Sequence, residues 1–235
     1  SVARVTKAPE LRREELLDVA FALCRSDGFE AMSVEQVTQS AGVAKGTFYH
    51  YFSSKADLQL QLVQRLGEAL FAHLSTQVAA APGTAAERIR TLMDAAAAYK
   101  AETFDVSVAP FLYRDVNYAL RHRLFDAWRE HARTVLRPVI SDGIADGSLA
   151  VTDAEAATDL VLLLWFEAAD HLWLRAVAAP DQDAFVDVLQ AGSAALWQAQ
   201  DRILGVREGT FAVPFGAETL AAIKALHTSL EGNQP

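Results

Sequence analysis

The densest chemistry in the chain lies in one run, Gly42 to Phe52, which reads GVAKGTFYHYF. It sets a cation, Lys45, beside a glycine, Gly46, and a hydroxyl, Thr47, and follows them with four aromatic rings around an imidazole. Phe48 and Phe52 are four residues apart, so on a helix both turn to one side and can fasten the element to its neighbours. Lys45, Thr47, Tyr49 and His50 are left to project outward. Donors and rings of these types on a short helix suit phosphate oxygens and base edges in a DNA groove. Gly46 weakens such a helix by about 1 kcal/mol relative to alanine. What it provides is room: a helix start without a side chain can approach a phosphate or base edge closely, with its amides facing the ligand. A packed aromatic cluster would account for Tyr49, His50 or Tyr51 taken singly. With Lys45, Gly46 and Lys55 beside them, the DNA-facing reading is preferred.

Other residues with reactive side chains form weaker patterns. Glu167, Asp170 and His171 share a helical face at i, i+3 and i+4 and can ligate a metal or act as acid and base. A di-iron site wants Glu-x-x-His, however, and here the third position is Asp with no second copy elsewhere. Hydrogen bonding at an interface or pocket is the better account. His122 and His131 lack a carboxylate or nucleophile at a diagnostic spacing. Cys24, the single cysteine, excludes an internal disulfide or a thiolate cluster for zinc and reads as a packed, reduced thiol. No cofactor motif and no metal site is expected, and catalysis is the less favoured reading.

The elements that must position the run are helices. Glycine and proline punctuate long stretches of helical periodicity, and no run alternates as a strand would. The all-α expectation places a first helix over about 10–25, short helices over about 33–40 and 44–51, and a long helix over about 54–80. Further helices are expected over about 85–103, 107–120, 122–146, 153–178, 182–204 and 215–230, with Pro110 breaking a helix. Ser33 and Gln36 in SVEQ can form a capping box at the start of the second helix, and Gly42 can end it in the left-handed conformation. Two short helices joined by a tight glycine-containing turn make a helix-turn-helix, whose second helix is of a size to enter the major groove.

Residues from about Arg12 to Leu62 resemble the N-terminal DNA-binding domain of TetR-family transcriptional regulators. The resemblance is carried by ELLDVAFALCRSDGFEAMSV and by AGVAKGTFYHYFSSKADL, with its G-x-x-K-G-x-x-Y-x-x-F-x-x-K spacing. It implies a three-helix DNA-binding domain followed by a larger helical ligand-binding and dimerisation domain, here divided as 1–53 and 54–235. It also implies a homodimeric repressor that binds double-stranded DNA at a palindromic operator and is released by a small, largely apolar or aromatic effector. Carried over position by position, Lys45, Gly46 and Thr47 would approach bases. Ser33, Tyr49, His50, Tyr51 and Lys55 would hold phosphates. The sequence departs from the family at Ala44, where serine or threonine often caps the recognition helix, and at Met32 and Thr38, where Thr and Ala are commoner. Two other readings remain open: a regulator acting as an activator or through a protein partner without a small ligand, and a helical enzyme.

Composition fits a DNA-binding protein only when divided along the chain. The 235 residues are 51% hydrophobic, enough for a sizeable core, and carry a net charge of −9. Residues 1–55 hold seven basic and seven acidic side chains, so the whole excess lies after residue 55. The first 13 residues form a short positive arm. Binding follows local field rather than total charge. No apolar run approaches the roughly 18 residues of a membrane span, and the N-terminus lacks the apolar stretch of a signal peptide, so a cytoplasmic location without membrane contact is expected.

In the remainder, Tyr99, Phe104, Phe111, Tyr113, Trp128 and Trp165 can line an apolar ligand pocket, though each alone fits ordinary bundle core. The segment FDVSVAPFLYRD is the candidate for the moving element that couples ligand to DNA. LVLLLWFEAADHLWLRA is apolar nearly all round, as suits a helix buried on two sides. With FVDVLQAGSAALWQ it would pair with a second subunit through helices about 153–178 and 182–204. The small residues Ala191, Gly192, Ala194 and Ala195 would permit close approach.

Overall fold

Local capping rules set the helix ends that carry the candidate site. In the computed structural model, which describes residues 8–103 and 108–232, every regular element among the described residues is helical. The run begins with α1 (Pro9–Asp27), α2 (Val34–Ala41), α3 (Lys45–Tyr51) and α4 (Lys55–Ala80). Ser33 caps α2 as expected. Its Oγ accepts the Gln36 N–H at 3.2 Å, and Gln36 Oε1 accepts the Ser33 N–H at 2.8 Å, satisfying two otherwise orphaned donors. Gly42 ends α2 at φ 65° and ψ 35°, a left-handed backbone that a side chain would strain. Ala44 offers α3 no side-chain cap.

The described residues fall into two compact units. The first takes the chain up to Ala69 and then Glu102–Arg121; the second takes Leu70–Ala101 and the chain from His122 onward. The core of the first unit joins Leu16, Leu17 and Ala20 of α1 to Val37, Phe48, Phe52, Leu58 and Leu62, all at most 1% exposed. Cys24 is buried and reduced, its Sγ 3.9 Å from Met32 Sδ. Thr38 is also buried, and its hydroxyl donates back to Val34 O at 3.0 Å, which satisfies it without a partner outside α2.

α5 (Ala85–Thr103) runs as expected, but the next stretch does not form one helix over 107–120. It contains α6 (Val108–Leu112), a 3₁₀ turn (Asp115–Asn117), and the start of α7 (Tyr118–Asp146). Pro110 does not break a helix. It lies in the first turn of α6, where the missing N–H has no intrahelical partner to lose. α6 and its turn pack inside the first unit. Phe111 meets Phe29 at 4.8 Å between ring centroids, and Arg114 reaches the Glu30 carboxylate at 3.1 Å.

The second unit continues with α8 (Ala154–Leu163), a π turn (Leu164–Ala168), α9 (Ala169–Val177), α10 (Gln182–Leu204) and α11 (Ala217–Gly232). The helix expected over 153–178 is therefore interrupted by one wide turn. Arg133 and Arg137 of α7 pair with Asp159 and Glu155 of α8. Gly192 serves contact inside the chain: a Cβ there would stand 2.1 Å from Leu172 Cδ1, so the glycine lets α10 close on α9. No helix among the described residues is long and apolar enough to cross a membrane.

Candidate nucleic-acid interface

α3 has a buried side and an open side. Phe48 is fully buried and lies 5.4 Å from the fully buried Phe52. Two large aromatics on one side fix the orientation of a seven-residue helix too short to be stable alone. Lys45, Gly46, Tyr49 and His50 are exposed, with Tyr49 at 50%, and Thr47 and Tyr51 are half-buried. The Tyr51 ring stands edge-on to His50 at 4.9 Å, and Tyr49 edge-on to Phe48 at 5.2 Å. A Cβ built on Gly46 would meet nothing within 4 Å, and its backbone is outside the positive-φ region. The chain's own packing therefore gives no reason for glycine there.

The cations of the site have partners inside the chain. Lys45 Nζ lies 2.6 Å from Glu35 Oε1 of α2, with both side chains more than half exposed. The Lys45 hydrogen bond holds the Glu35 carboxyl below its ordinary pKa, and the Glu35 bond raises that of Lys45. Lys55, half-buried at the start of α4, donates to Glu30 O at 2.6 Å. It works beside Gln59, which is buried and donates to Phe29 O at 3.0 Å. The two side chains satisfy the carbonyls of the turn between α1 and α2. In the arm, Arg12 pairs with Glu15 at 2.7 Å and Arg13 with Glu14 at 2.8 Å; Arg4 and Lys7 lie outside the described residues.

Of the six residues expected at a ligand pocket, the five described ones are distributed between the units. Phe111 is buried against Phe29, and Tyr113 stacks under the guanidinium of buried Arg121 at 4.4 Å, both in the first unit. Phe104 lies outside the described residues. In the second unit Tyr99 faces His73 at 5.4 Å, Trp128 faces Phe125 at 5.7 Å, and Trp165 Nε1 donates to the buried Gln200 Oε1 at 2.7 Å. Of the candidate acid and base groups, Glu167 pairs with Arg129, and His171 is exposed. Among the described residues no group of three His, Cys, Asp or Glu side chains could hold a metal ion.

Sequence reasoning missed two features. The Lys45–Glu35 pair spans ten residues and two helices, so no helical spacing signals it. A cleft of about 500 Å³ beside α10, lined by Trp197, Asp201, Val213 and Phe215 among others, joins residues from a helix and a later loop.

Residues 16–62 match the family model described as bacterial regulatory proteins, tetR family. The chain is 27% identical over 179 residues to the HTH-type transcriptional repressor KstR2 of Rhodococcus jostii, an alignment spanning 71% of this chain and 85% of that protein. It is 34% identical over 77 residues to the HTH-type transcriptional repressor NemR of Escherichia coli, spanning 33% of this chain and only 39% of NemR. Its fold is shared with a TetR transcription regulator from Haloarcula marismortui, at a TM-score of 0.53 and 24% identity, covering 78% of this chain and 95% of that one. It is shared also with RolR in complex with resorcinol, at a TM-score of 0.55 and 15% identity, covering 94% of each chain. KstR2 and NemR are named as transcriptional repressors and the Haloarcula protein as a transcription regulator.

Proposed function

We propose that this chain, whose residues 16–62 match the tetR family model and which is similar over most of its length to a transcriptional repressor, is a homodimeric repressor of a palindromic operator, released by a small apolar or aromatic effector. The observation that carries this reading is the division of α3, with Phe48 and Phe52 buried and Lys45, Gly46, Tyr49 and His50 open to solvent. In this reading Lys45, Gly46 and Thr47 approach base edges. Ser33, Tyr49, His50, Tyr51 and Lys55 hold phosphates and set the register. Ser33 accepts a bond as the α2 cap but keeps its own O–H to donate, and the Lys55 ammonium has three donors, of which the Glu30 carbonyl takes one.

Dimerisation is supported by the apolar groups that the second unit leaves open. Leu160 and Leu163 of α8 are 48% and 46% exposed, and Leu174 and Val177 of α9 are each 41% exposed. Ala191, Ala194 and Ala195 of α10 are exposed as well. A two-fold pairing through these helices would present two copies of α3 roughly 34–36 Å apart, one turn of DNA. The effector's contacts are assigned to Tyr99, Trp128 and Trp165 of the second unit, and segment 104–115 is the coupling element. An effector lowers DNA affinity only by its differential binding to the two states.

Fluorescence anisotropy with palindromic DNA from the chain's own promoter region tests the reading. Affinity should fall steeply as salt rises, and Lys45→Ala or Tyr49→Ala should weaken binding roughly tenfold with little change in thermal midpoint. Absence of any salt-dependent affinity at low salt would sink the proposal. Glu35 adds a second expectation. A phosphate or base drawn to Lys45 must compete with the Glu35 carboxylate, so Glu35→Gln should tighten binding by roughly two- to fivefold per subunit. Titrations at several salt concentrations check this, and unchanged affinity would mean that Lys45 does not touch DNA.

A further inference from the structure

The residues that follow α10 are anchored with unusual thoroughness for a surface loop. Asp201 is 2% exposed, and its carboxylate accepts the Gly209 N–H at 2.7 Å and the Phe211 N–H at 3.0 Å. From α5, Arg90 donates to Ala212 O at 2.9 Å. Phe211 is fully buried. A buried carboxyl group is costly unless its oxygens are hydrogen-bonded, and here those bonds, with that from Arg90, fix the backbone over 209–212. Beyond these anchors the chain turns Val213, 39% exposed, with Pro214 and Phe215, into a wall beside α10. The anchored backbone carries this apolar wall directly.

Between wall and helix lies the cleft of about 500 Å³, whose floor includes Ala194, Trp197 and Gln198. At 100° per residue, Ala191, Ala194, Ala195 and Gln198 share one edge of α10, and all four are exposed. Ala194 and Gln198 therefore belong both to the cleft floor and to the open strip assigned above to the second subunit. A helix laid on the alanines reaches the cleft floor at Ala194, beside Gln198. The floor sets the Trp197 indole beside Ala194 and the wall is aliphatic and aromatic, a surface that fits apolar side chains. The exposed leucines and valine of α8 and α9 supply such side chains on a second copy, and two-fold symmetry would use each cleft once per subunit.

We propose that the loop 206–216 is a clasp for a second copy of this chain, so that the dimer is closed by Val213, Pro214 and Phe215 as well as by helices. The inference rests on the homodimer reading. Sedimentation velocity over a dilution series tests it on the full chain with Val213→Asp, an exposed position whose substitution leaves the Asp201 and Arg90 anchors in place. The dimer dissociation constant should rise about tenfold, the effect of placing one carboxylate against an apolar surface, with helicity by circular dichroism unchanged. Leu163→Glu combined with Leu174→Glu is measured beside it. If that double variant stays as dimeric as the parent, the homodimer reading itself fails. If it dissociates while Val213→Asp leaves the constant within twofold, the clasp alone is overturned, as it would be if the cleft served a small molecule instead.

Discussion

Gly46→Ala is expected to raise the thermal midpoint of this protein and to lower its affinity for operator DNA. The two effects have separate causes. On the folded side, an added Cβ meets nothing within 4 Å, and the backbone there is not left-handed. Alanine therefore enters α3 without strain and contributes about 1 kcal/mol through helix propensity alone. On the DNA side, a methyl group at the start of the helix stands where the closest backbone approach is needed. Losing one well-made base contact weakens a half-site by about tenfold or more, and with two half-sites the loss compounds to about a hundredfold. Differential scanning fluorimetry and anisotropy on the same preparation read both quantities. A midpoint that falls would mean that glycine serves the fold; an affinity that holds would mean that the helix start stays clear of DNA.

The first helices were legible because their signals are local. Ser33 and Gln36 satisfy each other across three residues, and Gly42 needs only its own freedom at positive φ, so both follow from the sequence of α2. The inward pair Phe48 and Phe52 follows from helical spacing. Pro110 misled because proline is disfavoured inside a helix yet welcome in its first turn, and which applies depends on where the helix begins. The π turn at Leu164–Ala168 leaves no mark on an apolar run that reads as helix throughout. Lys55 shows the limit for the site. Its spacing suits a phosphate contact, but its bond to the Glu30 carbonyl depends on two segments 25 residues apart. The clasp was invisible for the same reason: Asp201 meets the Gly209 and Phe211 amides only because the chain doubles back after α10.

Leu163→Glu combined with Leu174→Glu is expected to yield a folded monomer whose affinity for a full palindrome falls by about a hundredfold to ten-thousandfold. Both leucines are more than 40% exposed in the single chain, so replacing them leaves no internal cavity and little change in monomer stability. A carboxylate on each would meet an apolar surface in the dimer, where burying an unpaired charge is strongly unfavourable. Once the subunits separate, each recognition helix binds a half-site alone, and the avidity of a linked pair, roughly 10² to 10⁴, disappears. Anisotropy on full and half palindromes separates this from a local defect. The variant should bind a half-site as well as the parent does, and loss of half-site affinity would point to misfolding instead.

The place of Cys24 has a practical consequence. The chain's one thiol is 5% exposed, packed against the Met32 sulfur, and buried thiols of this kind are slow to react. The surface is thus free of competing thiols, and Ser40→Cys, at an exposed position in α2, would give one addressable handle per subunit. Paired spin labels or dyes there would turn a dimer into its own ruler. The distance between the two DNA-reading units could then be followed in solution as candidate effectors are added, without DNA present and without knowing the operator.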